Sequence, residues 1–122
     1  MKIMSIFGTR PEIIRLSRIF PALDSHFDHI MVNTSQNYTS ELNSIFFTDL
    51  EIRKPDYNLK IKTGQFGIEV ADIISKTEKI LIKEKPDVLL ILGDTNSGLS
   101  AIPAAHLGIK IIHLEAGMRA YD

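Results

Sequence analysis

The chain has 122 residues, 44% of them hydrophobic and 24% charged, which is the composition of one globular domain with one core. Fourteen Lys and Arg against fifteen Asp and Glu leave a formal net charge of −1, which argues against a nucleic-acid surface but leaves room for a small anionic ligand held by local donors. With no cysteine, disulfides, thiolate nucleophiles and thiolate zinc sites are excluded, and the chemistry falls to carboxylates, Arg, Lys, His or backbone groups.

Met1 to Phe7 is too short, and too soon broken by Gly8, to be a secretory signal. No apolar run approaches a membrane span, so the cytoplasm is the default location. Ile3 to Phe7 reads as the first strand, followed by the turn Gly8-Thr9-Arg10. A helix begins at Pro11, since proline suits the first helical position, and its apolar stripe is Ile13, Leu16, Phe20 and Leu23. Phe27 to Thr34 is the second strand, with Ile30 and Val32 facing a covering helix, and Asn33 to Asn37 a polar loop. Helical spacing of Leu42, Ile45 and Phe46 marks a helix from about Thr39 to Leu50, and Arg53-Lys54-Pro55-Asp56 breaks it before a short strand near Tyr57 to Leu59. A long amphipathic helix spans roughly Phe66 to Lys85, with Val70, Ile73, Ile74 and Leu81 on one side, and Pro86 ends it.

Asp87 to Leu92 is a short apolar run closed by Gly93-Asp94, the pattern of a parallel strand covered on both faces. A helix from Asn96 to Leu107 carries Pro103, which kinks it unless a break falls there. Lys110 to Leu114 is the fifth strand, and Glu115-Ala116-Gly117-Met118-Arg119 the turn after it. Strands alternating with helices predict an α/β fold, a Rossmann-like doubly wound parallel sheet in the order 3-2-1-4-5. The chain stops at Asp122, where such a domain normally continues into a helix, so a truncated or isolated domain is expected.

Three turns carry the chemistry, and a parallel sheet puts all three at the carboxyl edge where ligands bind: Gly8-Thr9-Arg10, Gly93-Asp94-Thr95-Asn96 and Glu115 to Arg119. Arg10, Asp94, Glu115 and Arg119 then surround one crevice, two carboxylates for proton transfer beside an anion clamp. Each has a plainer reading. Asp94 can cap the next helix, Glu115 can pair with an Arg, and Arg10 can be a surface residue. Glu12, in the first turn of its helix, would compete with a bound phosphate for the positive end. His26 and His29 read as ordinary surface histidines and His106 as a helix-end residue. His113, close to Glu115 at a strand end, is equally a site residue and a buried structural one. No His pair at helical spacing has a carboxylate partner for a metal. The first turn lacks Gly-x-Gly-x-x-Gly, and the second strand ends in Asn33-Thr34 with no acidic residue for a ribose, so no nicotinamide cofactor is expected.

Phe7-Gly8-Thr9-Arg10-Pro11-Glu12, Gly93-Asp94-Thr95 and Glu115-Ala116-Gly117-Met118-Arg119, in this order at strand ends, resemble the amino-terminal domain of the non-hydrolysing UDP-N-acetylglucosamine 2-epimerases, along the whole chain. Ile13-Ile14-Arg15-Leu16-Ser17, Gln36-Asn37-Tyr38, Arg53-Lys54-Pro55-Asp56-Tyr57 and Asp94-Thr95-Asn96-Ser97 look more like the branch that converts UDP-2-acetamido-2,6-dideoxy-talose to UDP-N-acetyl-L-fucosamine. The resemblance implies the first half of a two-domain glycosyltransferase-B architecture. Its carboxyl-terminal domain, absent here, would hold most of the UDP, so this chain alone is expected to be inactive. It further implies a homodimer, no cofactor, and a role in polysaccharide precursor synthesis.

By motif position, the resemblance assigns Asp94 and Glu115 to acid/base work and Arg10 to the substrate or its diphosphate, with Arg119 and His113 beside it. Arg15 stands where most of the family has Lys, which keeps the charge and changes the geometry. The competing expectations are a non-catalytic nucleotide-sugar-binding domain and the amino-terminal half of a glycosyltransferase.

Overall fold

Five parallel strands alternate with helices in the computed structural model, which describes residues 1–34, 40–92 and 96–114 and, for residues 40–44, the backbone alone. The strands are β1 (Lys2–Phe7), β2 (Asp28–Asn33), β3 (Tyr57–Asn58), β4 (Val88–Leu92) and β5 (Lys110–Leu114). The helices are α1 (Arg10–Leu16), α2 (Ile19–His26), α3 (Ser40–Asp49), α4 (Phe66–Glu84) and α5 (Ala101–His106), with a 3-10 helix at Asn96–Ser100. The sheet order is β3-β2-β1-β4-β5, the doubly wound order expected.

Alternation along β1 divides the core. Ile3 and Phe7 point to one face, joined by Ile13, Leu16, Phe20, Met31, Phe47 and Leu90. Met4 and Ile6 point to the other, joined by Ile30, Val32, Ile80, Leu81, Leu89 and Ala104. Hence α1, α2 and α3 cover one face and α4 and α5 the other. All five residues of β4 are buried, as its unbroken apolar run requires of a strand covered on both sides. Between β1 and β4 the chain changes face, which opens the crevice of a doubly wound sheet at their carboxyl ends.

Two expectations are corrected, on α1 and on α3, and the alternative left open at Pro103 is decided. The single helix after Pro11 is two helices. Pro21 has no N–H to donate to the residue 17 carbonyl, and its ring would clash there, so the chain turns at Ser17-Arg18 and Pro21 sits in the first turn of α2. Ser17 Oγ and N–H both donate to the Ile14 carbonyl, at 2.7 and 3.3 Å, and close α1. In α3, Ile45 stays outside the core that Phe47 enters as expected: Ile45 is 57% exposed and Phe47 1%. The break before Pro103 falls at Ser100, so the proline lies in the first turn of α5, where its missing N–H leaves no bond unmade.

Candidate active site

The β1–α1 turn is held from below by a capping box. Thr9 is the N-cap of α1, and its Oγ1 accepts from the Glu12 N–H at 3.3 Å. Glu12 Oε1 in return accepts from the N–H groups of Gly8 (3.2 Å) and Thr9 (3.1 Å) and from Thr9 Oγ1 (3.0 Å). Glu12 is 3% exposed, and its second oxygen, Oε2, accepts from the Ser97 hydroxyl at 2.8 Å. Ser97 belongs to the 3-10 helix that follows β4, and its carbonyl accepts from Ser100 Oγ at 2.7 Å. The β1–α1 turn and the 3-10 helix after β4 therefore meet through one carboxylate at the switch point.

Glu12 thus takes donors at the amino end of α1 for itself, in keeping with the expectation that it would compete with a phosphate there. The Thr9-x-x-Glu12 spacing was the available signal. Ser97 left no sequence signal, because only the sheet register brings it to Glu12.

Arg10, at the first position of α1, is exposed at this edge, and its guanidinium lies 5.3 Å from the centroid of the Phe46 ring of α3. Arg15 is exposed on the same helix, five residues on and about 140° around the axis from Arg10. His113 lies near the carboxyl end of β5, in register with Ile91, and is exposed in this chain. The β2 end closes against the same edge: the Thr34 N–H donates to the Phe7 carbonyl at 2.8 Å, and Asn33 Nδ2 to Asn58 Oδ1 at 3.2 Å. Asp94, Glu115 and Arg119 lie outside the described residues, as do Gln36-Asn37-Tyr38.

Away from this edge, His29 is the histidine the sequence misjudged. It is 8% exposed, its Nε2 lies 2.8 Å from Ser5 Oγ, its Nδ1 lies 2.9 Å from Asp24 Oδ1, and its ring is 5.8 Å from Phe20. Arg53 clamps Asp24 with Nε (3.0 Å) and a terminal nitrogen (3.1 Å). Burial pushes the imidazole below its ordinary range, against the opposing pull of Asp24. Burial alone would raise Asp24, but the Arg53 and His29 hydrogen bonds outweigh it and hold the carboxyl low.

The two concavities described lie at the opposite, amino edge of the sheet: an apolar groove of about 750 Å³ that includes Leu81, Ile82, Pro86, Val88 and Leu107, and a polar one including Lys2, Tyr57 and Glu84. Among the described residues, neither includes the β1–α1 turn or the 3-10 helix after β4. Among the described residues no helix is long and apolar enough to cross a membrane.

A family model described as UDP-N-acetylglucosamine 2-epimerase matches residues 22–122. A UDP-N-acetylglucosamine 2-epimerase homolog of Methanococcus maripaludis is 45% identical over 123 residues, covering 100% of this chain and 34% of its own length. A UDP-2,3-diacetamido-2,3-dideoxy-D-glucuronate 2-epimerase of Pseudomonas aeruginosa is 38% identical, covering 100% of the chain and 35% of its own length. Among solved structures, UDP-GlcNAc 2-epimerase of Methanocaldococcus jannaschii in complex with UDP-GlcNAc and UDP superposes with a TM-score of 0.89 at 43% identity, over 100% of this chain and 34% of that one. The chain thus spans about a third of the length of the relatives it matches. With the family match running over most of its length, the chain belongs to the UDP-N-acetylglucosamine 2-epimerase family.

Proposed function

We propose that this chain is the amino-terminal, Rossmann-like half of a two-domain enzyme that inverts carbon 2 of a UDP-N-acetylamino sugar. The observation that carries the reading is the joining of the β1–α1 turn to the 3-10 helix after β4 at the switch point, with Arg10 exposed there, in a member of this family. The second domain, beyond this chain, would supply most of the UDP site.

Carbon 2 of such a sugar is not beside a free carbonyl, so its proton is not acidic and direct removal is disfavoured. Elimination avoids this. A base takes the carbon 2 proton, the C–H electron pair becomes the C1–C2 double bond of a 2-acetamidoglycal, and UDP leaves with the electrons of its bond to carbon 1. UDP oxygen then re-adds at carbon 1 while an acid delivers a proton to the other face of carbon 2. Asp94 and Glu115 would serve the two proton transfers. Arg10 and Arg119 would stabilise the charge on the departing diphosphate, with Arg15 and His113 binding substrate at the same edge.

The sugar is UDP-N-acetylglucosamine, with its 2-epimer UDP-N-acetylmannosamine, or the 2,6-dideoxy-talose analogue. The Pseudomonas relative is named for a third UDP sugar, so what the candidates share is UDP and a 2-acetamido group. The test is proton NMR of each sugar in heavy water with the complete reading frame containing this chain. Deuterium at carbon 2 of one sugar, with a new anomeric signal, is the expected result and names the substrate. Asp94→Asn and Glu115→Gln should each abolish it in a folded protein. A folded protein that binds UDP and exchanges neither sugar refutes the epimerase reading and favours a transferase or binding domain.

A further inference from the structure

We infer that Glu12 and Ser97 form a latch that positions the β1–α1 turn for turnover, which makes Glu12 a positioning residue of the proposed reaction and not a group that touches the sugar. This rests on the epimerase reading above. The carboxylate is buried: one oxygen gathers the Gly8 and Thr9 N–H groups and the Thr9 hydroxyl, and the other takes the Ser97 hydroxyl. A capping box needs only the first set. The bond to Ser97, 85 residues away, does nothing for the α1 terminus, and it fixes the turn that carries Arg10 against the element that follows β4. Ser97 is itself 2% exposed and braced by Ser100, so the contact is a fixed one. Charge-assisted bonds of this kind are the short, strong ones, and a substrate-binding guanidinium displaced by about 1 Å can lower turnover by about 100-fold.

The latch makes a prediction that separates position from charge. In Glu12→Gln the amide oxygen can still accept from Gly8 and Thr9, while its NH₂ donates to Ser97 Oγ, which turns from donor to acceptor. In Glu12→Ala both sets are lost, and in Ser97→Ala the connection across the crevice is lost while the capping box stays.

The experiment compares these three variants in the complete protein, measuring kcat and KM for carbon 2 deuterium incorporation, and amide exchange of the peptide spanning Phe7–Pro11 by mass spectrometry. Expected are a fall in kcat of about tenfold or more in Ser97→Ala and Glu12→Ala with KM within about threefold, and less than about threefold loss in Glu12→Gln. Exchange of the Gly8 and Thr9 amides should rise about tenfold in Glu12→Ala, and by a smaller factor in Ser97→Ala, while the β1 amides stay protected. A Glu12→Gln loss equal to that of Glu12→Ala, in folded proteins, overturns the inference in favour of a role for the charge itself. Unchanged kcat in Ser97→Ala overturns it too. If Glu12→Ala does not fold, Ser97→Ala and Glu12→Gln still decide. Wild-type protein that deuterates neither sugar refutes the epimerase reading, whereas unchanged amide exchange in Ser97→Ala refutes the latch whatever the turnover.

Discussion

Replacing Ser5 by Ala should destabilise the protein by about 1–3 kcal/mol, the range for leaving a buried hydrogen-bonding atom without its partner. The reasoning runs through His29. Asp24 carries a carboxylate that can only accept, so the His29 nitrogen facing it, Nδ1, carries the proton. Burial keeps the ring neutral, which makes Nε2 the acceptor and the Ser5 hydroxyl its donor. Both side chains are sealed from solvent, Ser5 and the His29 side chain each at 0% exposure, so no bulk water replaces the lost hydroxyl. Alanine removes one oxygen and little volume, which leaves the orphaned lone pair as the main effect. Urea titration followed by far-UV ellipticity at about pH 7.5 reads the change, with Ser25→Ala as the exposed-site control expected within about 0.5 kcal/mol. A loss at Ser5 no larger than that control would refute the assigned tautomer and the role of the hydroxyl.

The same network sets a pH dependence. Because the His29 pKa is lower in the folded protein than its ordinary 6.5, the unfolded chain binds the proton more readily; stability is full above that value and is lost as pH falls through the folded one. Asp24, also lowered, adds a loss only below its ordinary 3.8, so the urea midpoint should fall between about pH 7.5 and 5 through His29 alone, and an unchanged midpoint would contradict the burial argument. At the end of α4, Lys85 adopts left-handed φ 49° and ψ 57°, which strains a side chain with a Cβ. Lys85→Gly should raise stability by about 1 kcal/mol, seen as a higher melting temperature, and a decrease would mean that the lysine makes contacts worth more than the strain.

Much of the fold was legible because it is local. Alternation in Ile3 to Phe7, the unbroken apolar run at Val88 to Leu92 and the stripe through Ile73 and Leu81 each follow from a period the backbone imposes. The misread places are those where two local signals compete. The stripe from Ile13 to Leu23 spans both α1 and α2, so its hydrophobic period continues through a break that Pro21 alone announces. Ile45 and Phe47 sit two apart on α3 and only one can face the sheet; the larger aromatic packs against Phe7 at a 6.3 Å centroid distance. His29 looks polar and isolated in Asp28-His29-Ile30, yet a strand covered on both faces buries every second residue on each side, and His29 shares its face with Met31.

What the sequence by itself determined is the set of strands, most of the helices, the doubly wound order, and the common edge at which β1, β4 and β5 end. These depend on residues within a turn or a strand of each other, and on the rule that parallel strands share their carboxyl ends. Only the tertiary structure decided which polar side chains meet. Glu12 reaches Ser97 across 85 residues, and Ser5 reaches His29 across 24, because the registers of β1 with β4 and of β1 with β2 set those distances to within a hydrogen bond. A register is a property of paired strands, and a shift of one residue would turn Ser5 to the opposite face from His29.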